Sequence, residues 1–268
     1  MSLLLHVSDP HFGTERPQVV EALLRLVQAH PPTLVVLSGD ITQRATRAQF
    51  AAAKKFVERL GDAPLLTIPG NHDIPLLNPL ARLCWPYRNH CRIFGPELQP
   101  HYVSDDWLVL CLNTTRSYRH QNGEVSRAQI ERVAQRLAQA TPHQLRLVVT
   151  HQPVAVTQAH DRHDLLRGHA QAITRWSEAG ADMVLGGHIH LPFVLPLHTQ
   201  QSLPRPLWAV QAGTAVSSRV RSEAGNSVNL IYRSGNASRQ ARIERWDYAE
   251  ARHNFECVTT TSIQPHAH

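Results

Sequence analysis

Five short apolar runs of this chain each give way, within three residues, to a loop built from acids, imidazoles or an amide. Leu3 to Val7 leads into Asp9-Pro10-His11, Leu34 to Leu37 into Gly39-Asp40, and Leu65 to Ile68 into Gly70-Asn71-His72-Asp73. Leu145 to Thr150 ends at His151, and Asp182 to Leu185 runs into Gly187-His188-Ile189-His190. Runs of this length and composition predict buried strands. Between them the periodicity changes to three and four: Val19, Val20, Leu23, Leu24 and Val27 share one helical face ahead of Pro31-Pro32. Ala48 to Leu60, Arg127 to Ala140 and His169 to Ala179 read as further helices. Strand and helix in alternation predict an α/β sheet, and open α/β sheets bind ligands at the carboxyl ends of their strands. The five loops are therefore expected to converge on one site.

Two parts of the chain depart from this rhythm. Residues 76–100 are irregular and rich in arginine, proline and aromatics, before Trp107 to Leu112 resumes as a strand. They read as a cap-like insertion: a lid over the site, packing against the core, or a dimer interface. From about residue 205 to 260 only strands are expected, Leu207 to Ala212, Val228 to Tyr232, Arg239 to Asp247 and Asn254 to Thr259, forming a largely antiparallel second sheet. No internal repeat or long flexible linker divides the chain, so 268 residues predict one domain.

Charge narrows the partners. The formal net charge is +6, and with Lys54 and Lys55 the only lysines, 25 of the 27 basic residues are arginine. They are scattered and form no basic block, so a nucleic-acid surface is not expected. No stretch approaches the roughly 20 apolar residues of a membrane-spanning helix. Leu3 to Leu5 is followed at once by His6, Ser8 and Asp9, too short for a secretory signal. A cytoplasmic protein is expected, with Cys84, Cys91, Cys111 and Cys257 as reduced thiols.

The loop residues have the composition of a metal site. Residues i and i+2 of an extended segment project to one side, so Asp9 with His11, and His188 with His190, can each face one cluster. With Asp40, Asn71 and His151 they make seven candidate ligands, more than the four of a structural zinc site. Oxygen and nitrogen donors without thiolate suit a pair of divalent ions such as Mn, Fe, Zn or Ni, and both ions are served if Asp40 bridges them. Glycines at 39, 70, 186 and 187 let backbone approach closely. Asp161-Arg162-His163 and His266-Ala267-His268 imitate the motifs, but neither follows a buried strand.

The ordered series Asp9-x-His11, Gly39-Asp40, Gly70-Asn71-His72-Asp73, His151 and Gly187-His188-x-His190 resembles the full motif set of the calcineurin-like metallophosphoesterases, over residues 6 to 190. That resemblance implies an α/β fold of four layers, a double β-sandwich flanked by helices. It also implies two metals, one held by Asp9, His11, Asp40 and His190, the other by Asp40, Asn71, His151 and His188. Protein Ser/Thr phosphatases of the family carry Asp-Arg-Gly after the second motif and Glu after Asn-His, whereas here Asp40-Ile41-Thr42 and Asp73 stand. Lipid A precursor hydrolases usually have Arg where His72 stands. The text is most similar to class III cyclic-nucleotide phosphodiesterases, whose Gly-Glu-Ile-x-x-x-Gln stretch Gly123-Glu124-Val125-Ser126-x-x-Gln129 also resembles.

Two divalent ions against Asp9 and Asp40 leave about two positive charges, which favours an anionic phosphoester. Hydroxide activated by the metals is expected to attack phosphorus. His72 is assigned to stabilising the transition state or protonating the leaving oxygen, with Asp73 either orienting its ring or merely capping the loop. Arg116, Arg219 and Arg221 are candidates for binding substrate phosphate or sugar, with solvated surface the alternative for each. The expected activity is hydrolysis of a small phosphodiester such as 3′,5′-cyclic AMP. A pyrophosphohydrolase of a UDP-2,3-diacylglucosamine-type lipid is the alternative, and a non-catalytic scaffold a third. A homodimer through residues 76–100 is among the expectations.

Overall fold

The computed structural model describes residues 2–233 and 240–265. Arg239, at the start of one expected strand, and the imitating pair His266 and His268 lie outside the described residues. Two six-stranded sheets face each other. The first contains β1 (Ser2–Val7), β2 (Leu34–Leu37) and β3 (Leu65–Thr67), joined by β10 (Ser227–Arg233), β11 (Ala241–Ala249) and β12 (Asn254–Ile263), in the order β12-β11-β10-β1-β2-β3. The second is β4-β5-β6-β7-β9-β8, built from β4 (His101–Val103), β5 (Trp107–Cys111), β6 (Leu145–Val149), β7 (Met183–Gly186), β8 (Phe193–Pro196) and β9 (Trp208–Gln211).

The continuous apolar runs follow from burial on both faces of each sheet. Leu3, Leu5, Val7, Val35 and Leu37 pack outward against α1 (Pro17–Ala29) and α2 (Arg47–Arg59). Their neighbours Leu4, Leu34 and Val36 point inward, meeting Val109, Leu147, Val149, Met183 and Leu185 of the other sheet. On the far side Leu108, Leu110 and Val148 pack against α5 (Arg127–Ala138) and α6 (His169–Glu178). The result is helix, sheet, sheet, helix: the four-layer double β-sandwich. Pro17 starts α1, where its missing N–H is no loss. Ser126 and Gln129 close a reciprocal capping box at the start of α5.

The structure corrects the C-terminal strands. They do not form a sheet of their own: β10 lies antiparallel beside β1 and extends the first sheet with β11 and β12, while β9 runs parallel to β7 in the second. Alternation along a strand says which face is buried and not which edge it joins. The edge strand β8, antiparallel to β9, lies in the apolar stretch Leu191 to Leu197, where the prolines at 192 and 196 that bracket Phe193 to Leu195 argue against a strand.

Residues 76–100 are less irregular than the sequence implied. They hold two short helices, α3 (Pro79–Cys84) and α4 (Arg88–Phe94). From α4, the His90 and Phe94 rings meet Phe50 of α2 at centroid distances of 6.1 and 6.4 Å. In contrast, α3 buries none of its residues.

Candidate metal centre

The loops that end β1, β2, β3, β6 and β7 meet at one end of the sandwich. Backbone hydrogen bonds lace them together: Asp9 N–H donates to Gly39 O, His11 N–H to Asp40 O, and Gly187 N–H to His151 O. Asp9, His11, Asp40, His188 and His190 all have φ between 42° and 74°, the left-handed region that non-glycine residues avoid. Five of the seven expected ligands thus sit in strained backbone that the surrounding packing enforces, a pattern typical of functional sites. Gly187 is needed beside them, because a Cβ there would run into the side chains of Ser8 and Asp9.

The side chains fall into overlapping groups. Asp9, His11 and His190 bring ligand atoms within 4.8 Å of one another, and so do Asp40, His151 and His188. A third grouping, His11, Asp40 and His72, links the two. Asp40 lies between them, with Oδ2 3.6 Å from His11 Nε2 and Oδ1 3.3 Å from His151 Nε2. The amide of Asn71 joins the second group, its Oδ1 3.2 Å from His151 Nε2.

Carbonyl partners fix two of the imidazoles. His151 Nδ1 lies 2.8 Å from Ser38 O, and His190 Nδ1 lies 2.6 Å from Arg219 O. A carbonyl oxygen only accepts, so in each ring Nδ1 carries hydrogen and Nε2 is turned toward the cluster with its lone pair available in the neutral form. The same logic holds for His72, whose Nδ1 lies 3.0 Å from Gln43 O and whose Nε2 is left for the cavity.

Electrostatics agree with this arrangement. Burial would raise the Asp9 and Asp40 carboxyls, yet His190 at Asp9 and His151 at Asp40 overcome it and hold both below the usual carboxylate range. Burial pushes His11 down to about 3 against the pull of Asp40 and Asp9, so its ring is neutral, the form a metal needs. His151, in contrast, is drawn up to about 9 because Asp40 outweighs its burial, so its ring carries a proton that a metal at Nε2 would displace.

The donor set fits two divalent cations. Asp9 Oδ1 and His188 Nε2 are buried with no hydrogen bond, only 3.3 Å approaches to His190 Nε2 and Asp164 Oδ1, a costly condition that a cation would relieve. Nitrogen and oxygen donors, a shared carboxylate and no thiolate match the harder divalent ions.

Other expected residues are placed differently. Asp73 does not orient His72. Its buried carboxylate accepts from Ile41 N–H, Thr42 N–H, Thr42 Oγ1 and Gly70 N–H, so it staples the Asp40 loop to the Asn71 loop. Burial and the nearby Asp40 raise it to about 6 despite those donors. Arg116 is spent internally on Glu124, Gln129 and the carbonyls of Asn113 and Thr115. Arg221 is spent on Asp161, His160, Glu223 and the Ile189 carbonyl. Neither lines the site. Arg219 does, at the rim of a cavity of about 300 Å³ above the ligands.

That cavity also exposes three residues the motifs had not singled out: His120, Gln121 and Asp164. Asp164 Oδ1 lies 3.3 Å from His188 Nε2 and accepts from Gln121 Nε2 at 2.8 Å. They arrive on the loops after β5 and β6, far from any strand end, and no spacing rule marks them.

Residues 3–192, well over half of the chain, match the family model described as calcineurin-like phosphoesterase. A probable cyclic nucleotide phosphodiesterase of Synechococcus sp. is 27% identical over 164 residues, 61% of this chain and 60% of that protein. The 3′,5′-cyclic adenosine monophosphate phosphodiesterase CpdA of Escherichia coli K12 is 23% identical over 222 residues, 78% of this chain and 76% of that one. Among solved structures, the purple acid phosphatase PPD1 of yellow lupin superposes with a TM-score of 0.75 at 12% identity, covering 98% of this chain and 53% of its own. The last likeness speaks for the fold alone. The family model spans the whole motif series and the strained loops that gather it at one end of the sandwich, and this chain belongs to the calcineurin-like phosphoesterase family.

Proposed function

We propose that the chain is a two-metal phosphodiesterase acting on a small polar phosphodiester, with 3′,5′-cyclic AMP the first substrate to test. The observation that carries this reading is the position of Asp40, whose two oxygens reach toward His11 on one side and His151 on the other. By this reading Asp9, His11, Asp40 and His190 hold one ion, and Asp40, Asn71, His151 and His188 the other. When bound, two such cations supply Lewis acidity toward phosphoryl oxygens and a nucleophile from water at neutral pH.

The chain's own residues do the rest. His72 offers Nε2 to the cavity, with Nδ1 held by the Gln43 carbonyl, so it serves as the donor to a phosphoryl or leaving oxygen. Arg219 stands at the rim with its guanidinium partnered to Gln43 Oε1, placed to meet the anionic part of an arriving substrate. The cavity walls are polar side chains throughout. They give an acyl chain nothing to pack against, which supports a small diester over a diacylated nucleotide lipid. The two relatives named above as cyclic nucleotide phosphodiesterases support the same class.

The test is a substrate panel with Mn²⁺ supplied: cyclic AMP, bis-p-nitrophenyl phosphate, p-nitrophenyl phosphate and a UDP-linked diacyl lipid. Hydrolysis of the diesters well above the monoester is expected. Preference for the monoester or for the lipid pyrophosphate, by protein that carries two ions per chain, overturns the proposal.

A further inference from the structure

The face built by α3 presents apolar side chains to solvent in a density found nowhere else among the described residues. Leu77 is 86% exposed, Leu83 76%, Leu80 65% and Trp85 56%, and Leu76 adjoins them. These five are more than half of the large hydrophobic residues that the described chain leaves exposed. Single exposed apolar residues need no explanation, but a contiguous group does. The site's cavity does not use them, since none of its lining residues comes from α3.

Charge around this group is one-sided. No acidic residue occurs from Ile41 to Val57 or from Ile74 to Pro96. Arg44 shares a hollow with Leu76, Leu77 and Ala81, and Arg47 and Arg88 share another with Trp85 and Pro86. The carboxylate at the floor of the second hollow, Asp73, is buried and occupied by its four donors. Arg44, Arg47 and Arg88 are exposed, and no ion pair engages them among the described residues. Arg82 turns inward instead, donating to the carbonyls of Pro75 and Arg119.

We infer that this face docks on an anionic lipid surface, with Leu77, Leu80, Leu83 and Trp85 entering the interfacial layer and Arg44, Arg47 and Arg88 meeting lipid phosphates. Leucine and tryptophan ringed by arginine is the composition of a surface-lying membrane contact, and tryptophan settles at headgroup depth. A second copy of the chain is the poorer fit. A two-fold contact sets each patch against itself and would bring Arg44, Arg47 and Arg88 of both copies together, whereas anionic lipid neutralises them.

Full-length protein sedimented with vesicles of equal parts phosphatidylglycerol and phosphatidylcholine, and with phosphatidylcholine vesicles alone, tests the inference. Binding to the anionic vesicles is expected to be at least about tenfold tighter and to weaken with added salt. The Leu80→Asp/Leu83→Asp variant should lose about tenfold or more, and Arg44→Glu/Arg88→Glu a similar amount. All four positions are exposed, and circular dichroism checks that the variants remain folded. Equal binding to both vesicles overturns the inference, as does anionic binding that survives Leu80→Asp/Leu83→Asp. Failure to bind either vesicle also overturns it, and a concentration-dependent dimer abolished by the same substitutions then assigns the face to a second copy. These readouts are independent of the diesterase reading, because none of them measures hydrolysis.

Discussion

His11 and His190 face each other with their Nε2 atoms 3.0 Å apart. Two lone pairs at that distance repel, and two N–H groups cannot fit, so the pair is stable only when they share a proton or point at a common cation. Asp9 Oδ1, 3.3 Å from His190 Nε2, completes the same corner. The protein fold holds these donors in place through left-handed backbone at Asp9, His11 and His190.

Metal binding should therefore stabilise the fold measurably. At a free ion concentration of about a hundred times Kd, a ligand that binds only the folded state adds about 2.7 kcal/mol. For a chain of this size that raises Tm by several degrees. Thermal melts in a strong chelator and in Mn²⁺ or Zn²⁺ compare the two. Identical melting temperatures would sink the metal assignment.

Asp40→Ala is expected to remove activity and most bound metal. A carboxylate shared by two cations offsets charge on both, and its loss leaves them facing each other with less compensation. Elemental analysis of the purified variant decides this. Two ions per chain with near-normal turnover would exclude the bridging role.

His72 and Asp73, adjacent in sequence, should separate cleanly. His72→Ala keeps the metals and the fold but lowers kcat by about 10²–10⁴. The loss should be smaller for p-nitrophenyl diesters than for alkyl ones if the ring protonates the leaving oxygen, since a phenolate departs unaided. Asp73→Ala instead strands four donors, three of them backbone, at a cost of about 2–4 kcal/mol in stability. Urea unfolding of both variants tells them apart. A catalytic loss in Asp73→Ala with unchanged stability would restore it to the reacting centre.

Much of the candidate site was readable because strand and donor share one local signal: an apolar run that gives way to the donor within three residues. Asp9, Asp40, Asn71, His151 and His188 all follow that rule, and the double sandwich itself came from the family resemblance they carried. What lay beyond it depended on contacts distant in sequence. Asp73 looked like a partner for its neighbour His72, yet its hydrogen bonds run to Ile41 and Thr42 across the sheet end. Arg116 looked free because nothing local showed Glu124 and Gln129 folding back on it. The joining of β10 to β1, and the exposure of α3, are likewise set by which surfaces happen to meet.

Stability should also depend on pH through a histidine well away from the candidate metal ligands. His90 of α4 is fully buried, neither ring nitrogen has a hydrogen-bond partner, and burial alone pushes it from 6.5 to about 4. In the unfolded chain the ring returns to its ordinary value, so between those two values the unfolded state binds more protons and stability rises with pH. The contribution is fully present above 6.5 and is lost as pH falls toward 4. Between about pH 7.5 and about pH 5 it amounts to about 2 kcal/mol. His90→Phe keeps a ring against Phe50 and Phe94 but cannot titrate, so its stability should fall less than the wild type's over that interval by about this amount. Other buried histidines, His6 among them, titrate in the same window, which is why the measurement is the difference between two proteins and not one curve. Parallel pH profiles for the two would mean that α4 opens to admit water before His90 protonates.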